Sequence, residues 1–289
     1  MIPGAFEYHA PSSLDEAIAL LGEHGDDSKL FAGGHSLLPM MKLRFAEPAH
    51  IIDLNRIDAL RGISQQGGVI RIGAMTTEND LIRSEVLAAK CPLIVEVARS
   101  IADPQVRNRG TIGGDIVHGD PGNDHPALML ALDATLKLKG AGGERSTKAN
   151  GFFQGTYMTD LQPDEILTAV EIPVPGAGSG WGFHKLKRKA GDFATAAATV
   201  VMQMKGDTCE EIRIALTNVA PCAVRAEAAE KELRGRRVDD KTIEAAAVKV
   251  MEACDPVEDQ RGSPEYKTHM AAEMARRAIG DALSRAKGG

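Results

Sequence analysis

Leu30-Phe31-Ala32-Gly33-Gly34-His35-Ser36-Leu37 and, much further along, Arg109-Gly110-Thr111-Ile112-Gly113-Gly114-Asp115 are the two segments from which the rest of this chain is read. The second runs on into Gly119-Asp120-Pro121-Gly122-Asn123-Asp124. Each glycine pair follows an apolar or β-like run and is flanked by a hydroxyl side chain, Ser36 or Thr111. A Gly-Gly pair removes two Cβ atoms, so backbone N–H groups can come close to an anion. One such pair alone also makes a plain turn. Two pairs, each at the end of an element where backbone donors are free, point to a cradle for a diphosphate. Asp124 is placed to accept hydrogen bonds from sugar hydroxyls, a role that Asp115 and Asp120 could share; solvated loop carboxylates are the competing reading.

Around these segments the pattern is α+β. Ser13 and Glu16 suggest a capping box for a helix with Leu14, Ile18 and Leu21 as its apolar stripe, closed by Gly22 and Gly25. Strands are expected at 29–32, 50–54, 63–72 (a hairpin around Gln65-Gln66-Gly67-Gly68), 134–139 and 166–172. Thr77 should cap a helix reaching Ala89, Pro92 should start another, and a third is expected at 126–132. Gly176-Ala177-Gly178-Ser179-Gly180 reads as a linker. Beyond it the texture changes to strands at 195–204 and 212–216, then helices near 223–234, 240–253 and 265–286, with Tyr266, Met270 and Met274 as a core stripe.

Bulk properties exclude several classes. The 289 residues carry a net charge of −6, which argues against a nucleic-acid partner. No apolar run approaches the roughly 20 residues that span a bilayer, and Met1-Ile2-Pro3-Gly4 is not a secretory leader. Cys91, Cys209, Cys222 and Cys254 are scattered, which does not suit a metal cluster. His35 and His118 lie beside the loops without a second ligand at metal spacing, so no metal site is expected. No hydrolase or P-loop signature is present, so a bound cofactor is expected to carry any redox reaction. The run Lys185-Leu186-Lys187-Arg188-Lys189 reads either as a solvated strand end or as a contact for cofactor oxygens or an acidic partner.

These residues have a familiar counterpart. Met1–Tyr8, Ala32–Pro39, Ile101-Ala102-Asp103-Pro104-Gln105, Thr111–Gly114, Gly119–Asp124 and Lys185–Lys189 resemble the FAD-binding medium subunits of the molybdenum hydroxylases, those of aerobic carbon monoxide dehydrogenases in particular. The resemblance covers essentially the whole chain. It implies a vanillyl-alcohol-oxidase (PCMH)-type FAD-binding domain over 1–177, with subdomains of about 1–55 and 56–177. A C-terminal three-stranded sheet with a helical bundle would follow over 178–289.

For FAD it implies diphosphate contacts from Ala32, Gly33, Gly34, His35, Ser36, Leu37, Thr111, Gly113 and Gly114. It places Ile101, Leu167 and Lys185 near the isoalloxazine ring, and Asp124 on ribityl or ribose hydroxyls. No catalytic acid, base or metal ligand is implied on this chain. Two positions depart from the pattern: Asp115, where the resemblance leads one to expect Asn, and Phe193, where it leads one to expect Tyr against the flavin. A carboxylate at Asp115 repels a diphosphate unless protonated.

The implied partners are a molybdenum-cofactor large subunit and a two-cluster [2Fe–2S] small subunit, in a dimer of three-chain units. Electrons would leave for a quinone or another acceptor. The implied location is the cytoplasm, with an option of association with the inner face of the membrane through the complex. Carbon monoxide is the first-choice substrate of the complex, ahead of aldehydes, purines and N-heterocycles. The rival readings are a stand-alone flavin oxidase, which needs a substrate-facing Tyr, Arg or covalent His, and a flavin-free scaffold.

Overall fold

In the computed structural model, which describes residues 2–288, the described residues form three larger sheets and a two-stranded one, Phe153–Gly155 with Met158–Thr159. The first is parallel, with Glu7–His9 and Ser28–Phe31 on either side of His50–Asp53. The Leu14–His24 helix covers it and buries Ala17, Ile18 and Leu21 against Ile52, Leu54 and Ile57. Ser13 caps that helix by accepting the Glu16 N–H. The reciprocal bond is displaced by one residue, because the Glu16 carboxylate takes the Ser12 N–H. Gly22 stays inside the helix and Gly25 ends it.

The second sheet has five antiparallel strands in the order Ile63–Gln66, Val69–Gly73, Glu165–Pro173, Thr135–Gly140, Gly143–Lys148. Its buried side meets the Pro92–Ser100 and Asp124–Ala131 helices in the largest core. The helix expected from Thr77 to Ala89 is two pieces, Glu78–Arg83 and Glu85–Lys90. Ser84 breaks it: its backbone is extended and its hydroxyl accepts the Leu87 N–H, so it caps a new helix instead of continuing the old one.

The third sheet has three long antiparallel strands, Ser179–Leu186, Ala196–Lys205 and Thr208–Thr217, with a two-residue fourth at Val224–Arg225. Its strands alternate between two cores. Ala197, Ala215 and Phe183 join the central core, while Ala196, Ala198, Val200, Ile214 and Leu216 face the helical side. On that side lie the Glu227–Leu233, Asp240–Val250 and Pro264–Ala286 helices. Within the expected stripe of the last helix, Met274 is buried and Met270 packs partly, but Tyr266 is exposed.

The expected linker is partly a strand. Gly180 and Gly182 face the last helix so closely that a Cβ on either would collide with the Ala282 or Ala278 carbonyl. Their glycine character comes from strand–helix packing, not from chain flexibility. Arg285 fastens the same helix back across the molecule. Its guanidinium sits over Trp181 at 4.9 Å and bonds Glu96 at 3.1 Å.

Candidate cofactor site

The two glycine segments touch. A Cβ on Gly33 would run into the Arg109 carbonyl and lie 2.8 Å from Gly110 Cα. One on Gly114 would lie 3.6 Å from Ala32 Cβ. They form one end of a cavity of about 610 Å³, within the usual size of a small-molecule site. Ala32, Gly33, Gly34, His35, Ser36, Leu37, Ile101, Thr111, Gly113, Gly114, Asp124, Leu167 and Lys185 all line it.

The two glycine pairs do different work. In the first loop Gly34 is left-handed (φ +73°), and a Cβ there would meet the Phe31 ring at 2.5–2.6 Å. The N–H groups of Gly33, Gly34, His35, Ser36 and Leu37 donate to no described residue, and the last of them opens the Leu37–Leu43 helix. His35 turns its Nδ1 to the Gly33 carbonyl at 2.8 Å.

In the second segment the glycines lie inside a helix, Ile112–His118, capped by Thr111. Its amides are already spent. Ile112 donates to Thr76 O at 3.0 Å, Gly113 to Ala74 O at 2.9 Å, Gly114 to Thr111 Oγ1 at 3.2 Å and Asp115 to Thr111 O at 3.0 Å. A Cβ on Gly113 would lie 2.6 Å from Ala74 Cβ. The expectation that both pairs offer bare amides therefore holds for the first loop alone. The second pair is glycine so that its helix can press against the sheet edge and the first loop.

Asp124 opens the Asp124–Ala131 helix, and its Oδ2 accepts from Lys185 Nζ at 2.5 Å. Both side chains are buried, so this ion pair joins the central layer to the third sheet inside the cavity wall. Burial pushes the Asp124 carboxyl up, with Lys185 opposing it. Asp124 Oδ1 has no protein partner. Lys185 is therefore no solvated strand end, and Lys187 also points inward to the Ser100 carbonyl.

Behind Asp124 lies a buried cluster that the sequence did not announce. His125 Nε2 stands 2.9 Å from both Glu78 carboxylate oxygens. Burial alone would lower the His125 pKa, but Glu78 and the nearby acids raise it to about 9. Asp115 is half-buried with its Oδ1 enclosed and unpartnered, and desolvation raises its pKa to about 7. A carboxyl with a pKa of about 7 is about half neutral at neutral pH, and so repels a nearby anion less than an ordinary aspartate does.

Phe193 lines the cavity mouth, half exposed under the Arg261 guanidinium at 5.6 Å. Tyr157 and Ala102 also line it, and both are non-glycine residues held at positive φ, 58° and 43°. Strained backbone of this kind gathers at functional sites. Nothing in the local sequence flags either residue.

The unpaired amides, the orphaned Asp124 oxygen and the apolar walls from Ile101 and Leu167 fit a dinucleotide carrying a flat ring. Residues 4–175 match the family model described as the FAD binding domain in molybdopterin dehydrogenase, and residues 181–282 match the CO dehydrogenase flavoprotein C-terminal domain. The chain belongs to this family of molybdopterin-dehydrogenase flavoproteins: it is an oxidoreductase component, and its cofactor is FAD.

Within that class it is similar to the carbon monoxide dehydrogenase medium chains. It is 56% identical to that of Hydrogenophaga pseudoflava, over 99% of both chains. It is 50% identical to that of Afipia carboxidovorans, over 99% of this chain and 100% of the relative. A solved structure of the Hydrogenophaga pseudoflava carbon monoxide dehydrogenase, lacking the Mo-pyranopterin moiety, superposes with a TM-score of 0.98 over 99% of each chain.

Proposed function

We propose that this chain is the FAD-carrying electron-transfer subunit of a carbon monoxide dehydrogenase-type molybdenum hydroxylase. The observation that carries the reading is the convergence of both glycine segments, Asp124 and Lys185 on one cavity, where the consecutive N–H groups of Gly33–Leu37 donate to no described residue. FAD supplies the electron-accepting and electron-donating chemistry there. The protein binds, orients and dries the site.

The amides of Gly33, Gly34, His35, Ser36 and Leu37 hold the diphosphate, helped by the Thr111 hydroxyl. Gly113 and Gly114 shape the opposite wall. Asp124 Oδ1 accepts from a ribityl or ribose hydroxyl. Ile101 and Leu167 pack against the ring, and Lys185 lends a fixed positive charge beside it. A cation near the ring favours the reduced, more negative form and so tunes its potential.

The domain division is 1–177 for FAD binding and 178–289 for the C-terminal unit. The partners are a molybdenum-cofactor large subunit, which oxidises carbon monoxide, and a [2Fe–2S] small subunit, which relays the electrons, in a dimer of three-chain units. A quinone or another acceptor takes the electrons, and the assembly sits in the cytoplasm, with association at the inner face of the membrane as the alternative placement. No described helix is long and apolar enough to cross a membrane.

The test is anaerobic spectroscopy on the co-expressed complex and on the isolated chain. Carbon monoxide should bleach the flavin band of the complex and leave that of the isolated chain unchanged. Bleaching of the isolated chain would make it a self-contained oxidase. An unresponsive complex that reacts instead with an aldehyde or N-heterocycle would reassign the substrate.

A further inference from the structure

Away from the cofactor-binding residues, three histidines from three elements meet on the first sheet. His9 ends the first strand, His24 ends the first helix and His50 begins the third strand. One ring nitrogen from each lies within 4.8 Å of the others, and all three residues are half-buried. His50 Nδ1 is the focus: His9 Nε2 stands 3.1 Å from it and Glu7 Oε2 3.6 Å. The His24 ring stacks on His50 at 3.8 Å and 10°. No spacing in the sequence announces this group, because the parallel pairing of the first and third strands creates it.

We propose that His9, His24 and His50, with Glu7, form a binding site for a borderline divalent transition ion of the Zn²⁺ class. Three neutral imidazoles and a carboxylate are a ligand set such ions prefer, and a hard ion such as Mg²⁺ does not. Metal–nitrogen bonds of about 2.0–2.1 Å in a tetrahedral site put ligand nitrogens roughly 3.4 Å apart. The His9–His50 separation is already close to that. His24 completes the set by turning its ring out of the stack. It is half-exposed, at a helix end and followed by Gly25, so no core packing opposes that turn. The ion would take the place of the present His9–His50 hydrogen bond. It would tie the N-terminal strand to the helix end from which Gly25, Asp26, Ser28 and Lys29 go on to wall the cavity.

The experiment uses the tag-free full-length chain loaded with FAD. Equilibrium dialysis against micromolar Zn²⁺, followed by metal analysis, should give one ion per chain, removable by EDTA. Mg²⁺ at the same concentration should not bind. His24→Ala and His50→Ala should each weaken zinc binding by at least the roughly 10–100-fold that even outer-shell changes cost, with flavin content unchanged. The four thiols give a separate control, since burial pushes Cys91 up to about 12 and Cys209 and Cys254 up to about 11. Equal zinc uptake by wild type and both variants, or none by wild type, overturns the assignment.

Discussion

Replacing Lys185 with Met tests whether a buried charge pair holds the cavity wall together. The stem length is kept and the ammonium removed. Asp124 Oδ2 then loses its 2.5 Å partner, and Oδ1 already has none. Water cannot compensate, because the two side chains are only 5% and 3% exposed. Removing one member of such a pair costs about 3–5 kcal/mol, a large part of a typical total of about 5–15 kcal/mol.

The cost has a pH signature. Burial raises the Asp124 pKa and Lys185 opposes it, so deleting Lys185 raises it further. A carboxyl whose folded pKa lies above its unfolded value contributes fully below the unfolded value of about 3.9 and loses that contribution as pH rises through the folded one. Lys185→Met should therefore lie nearest to wild type in acid and fall progressively behind toward neutral pH. Asp124→Asn combined with Lys185→Met should recover much of the loss, because no buried charge remains. Urea midpoints across a pH series, with flavin retention measured after gel filtration, give both quantities. A neutral-pH loss under about 1 kcal/mol, the size of an exposed pair, or a loss independent of pH, would refute the reasoning.

Gly33→Ala should give protein with little bound flavin and a lowered midpoint, since its Cβ meets the backbone of Arg109 and Gly110 rather than a side chain that can move. Gly68→Ala, with open space around it, is the control and should keep its flavin. Asp115→Asn should match wild type in acid. It should become progressively the more stable of the two as pH rises from about 4 to about 7, by up to about 4 kcal/mol, with no further divergence above that; a wild type that keeps pace with the variant across that range shows that Asp115 is not held protonated. Gly182→Ala should cost about 1–3 kcal/mol by overpacking against Ala278 while leaving flavin binding intact in the folded fraction, read by thermal melts and visible absorbance.

The parts legible from sequence were those carried by rare local chemistry. Glycine pairs beside hydroxyls mark close approach whatever the fold, and the residues expected at the site do line one cavity. What the pattern could not reveal was the reason for each glycine. Gly113 and Gly182 are glycine because Ala74 and Ala278 press on them, contacts visible only once the partner element is placed. The Ile112–His118 helix was hidden because two glycines in its first turn are poor helix formers, and packing overrides that preference. Lys185 sits in a basic run that reads equally well as a solvated end, and only the facing Asp124 shows that it is buried. His125, Glu78 and the three histidines of the first sheet come together through topology alone.

Amide hydrogen exchange on the flavin-free and FAD-loaded chain bears most directly on the cofactor site. FAD should strongly protect Gly33–Leu37, whose N–H groups have no protein partner, and should change Ile112–Asp115 little, since those amides are already bonded. Unchanged exchange at Gly33–Leu37, with protection appearing elsewhere, would contradict the account.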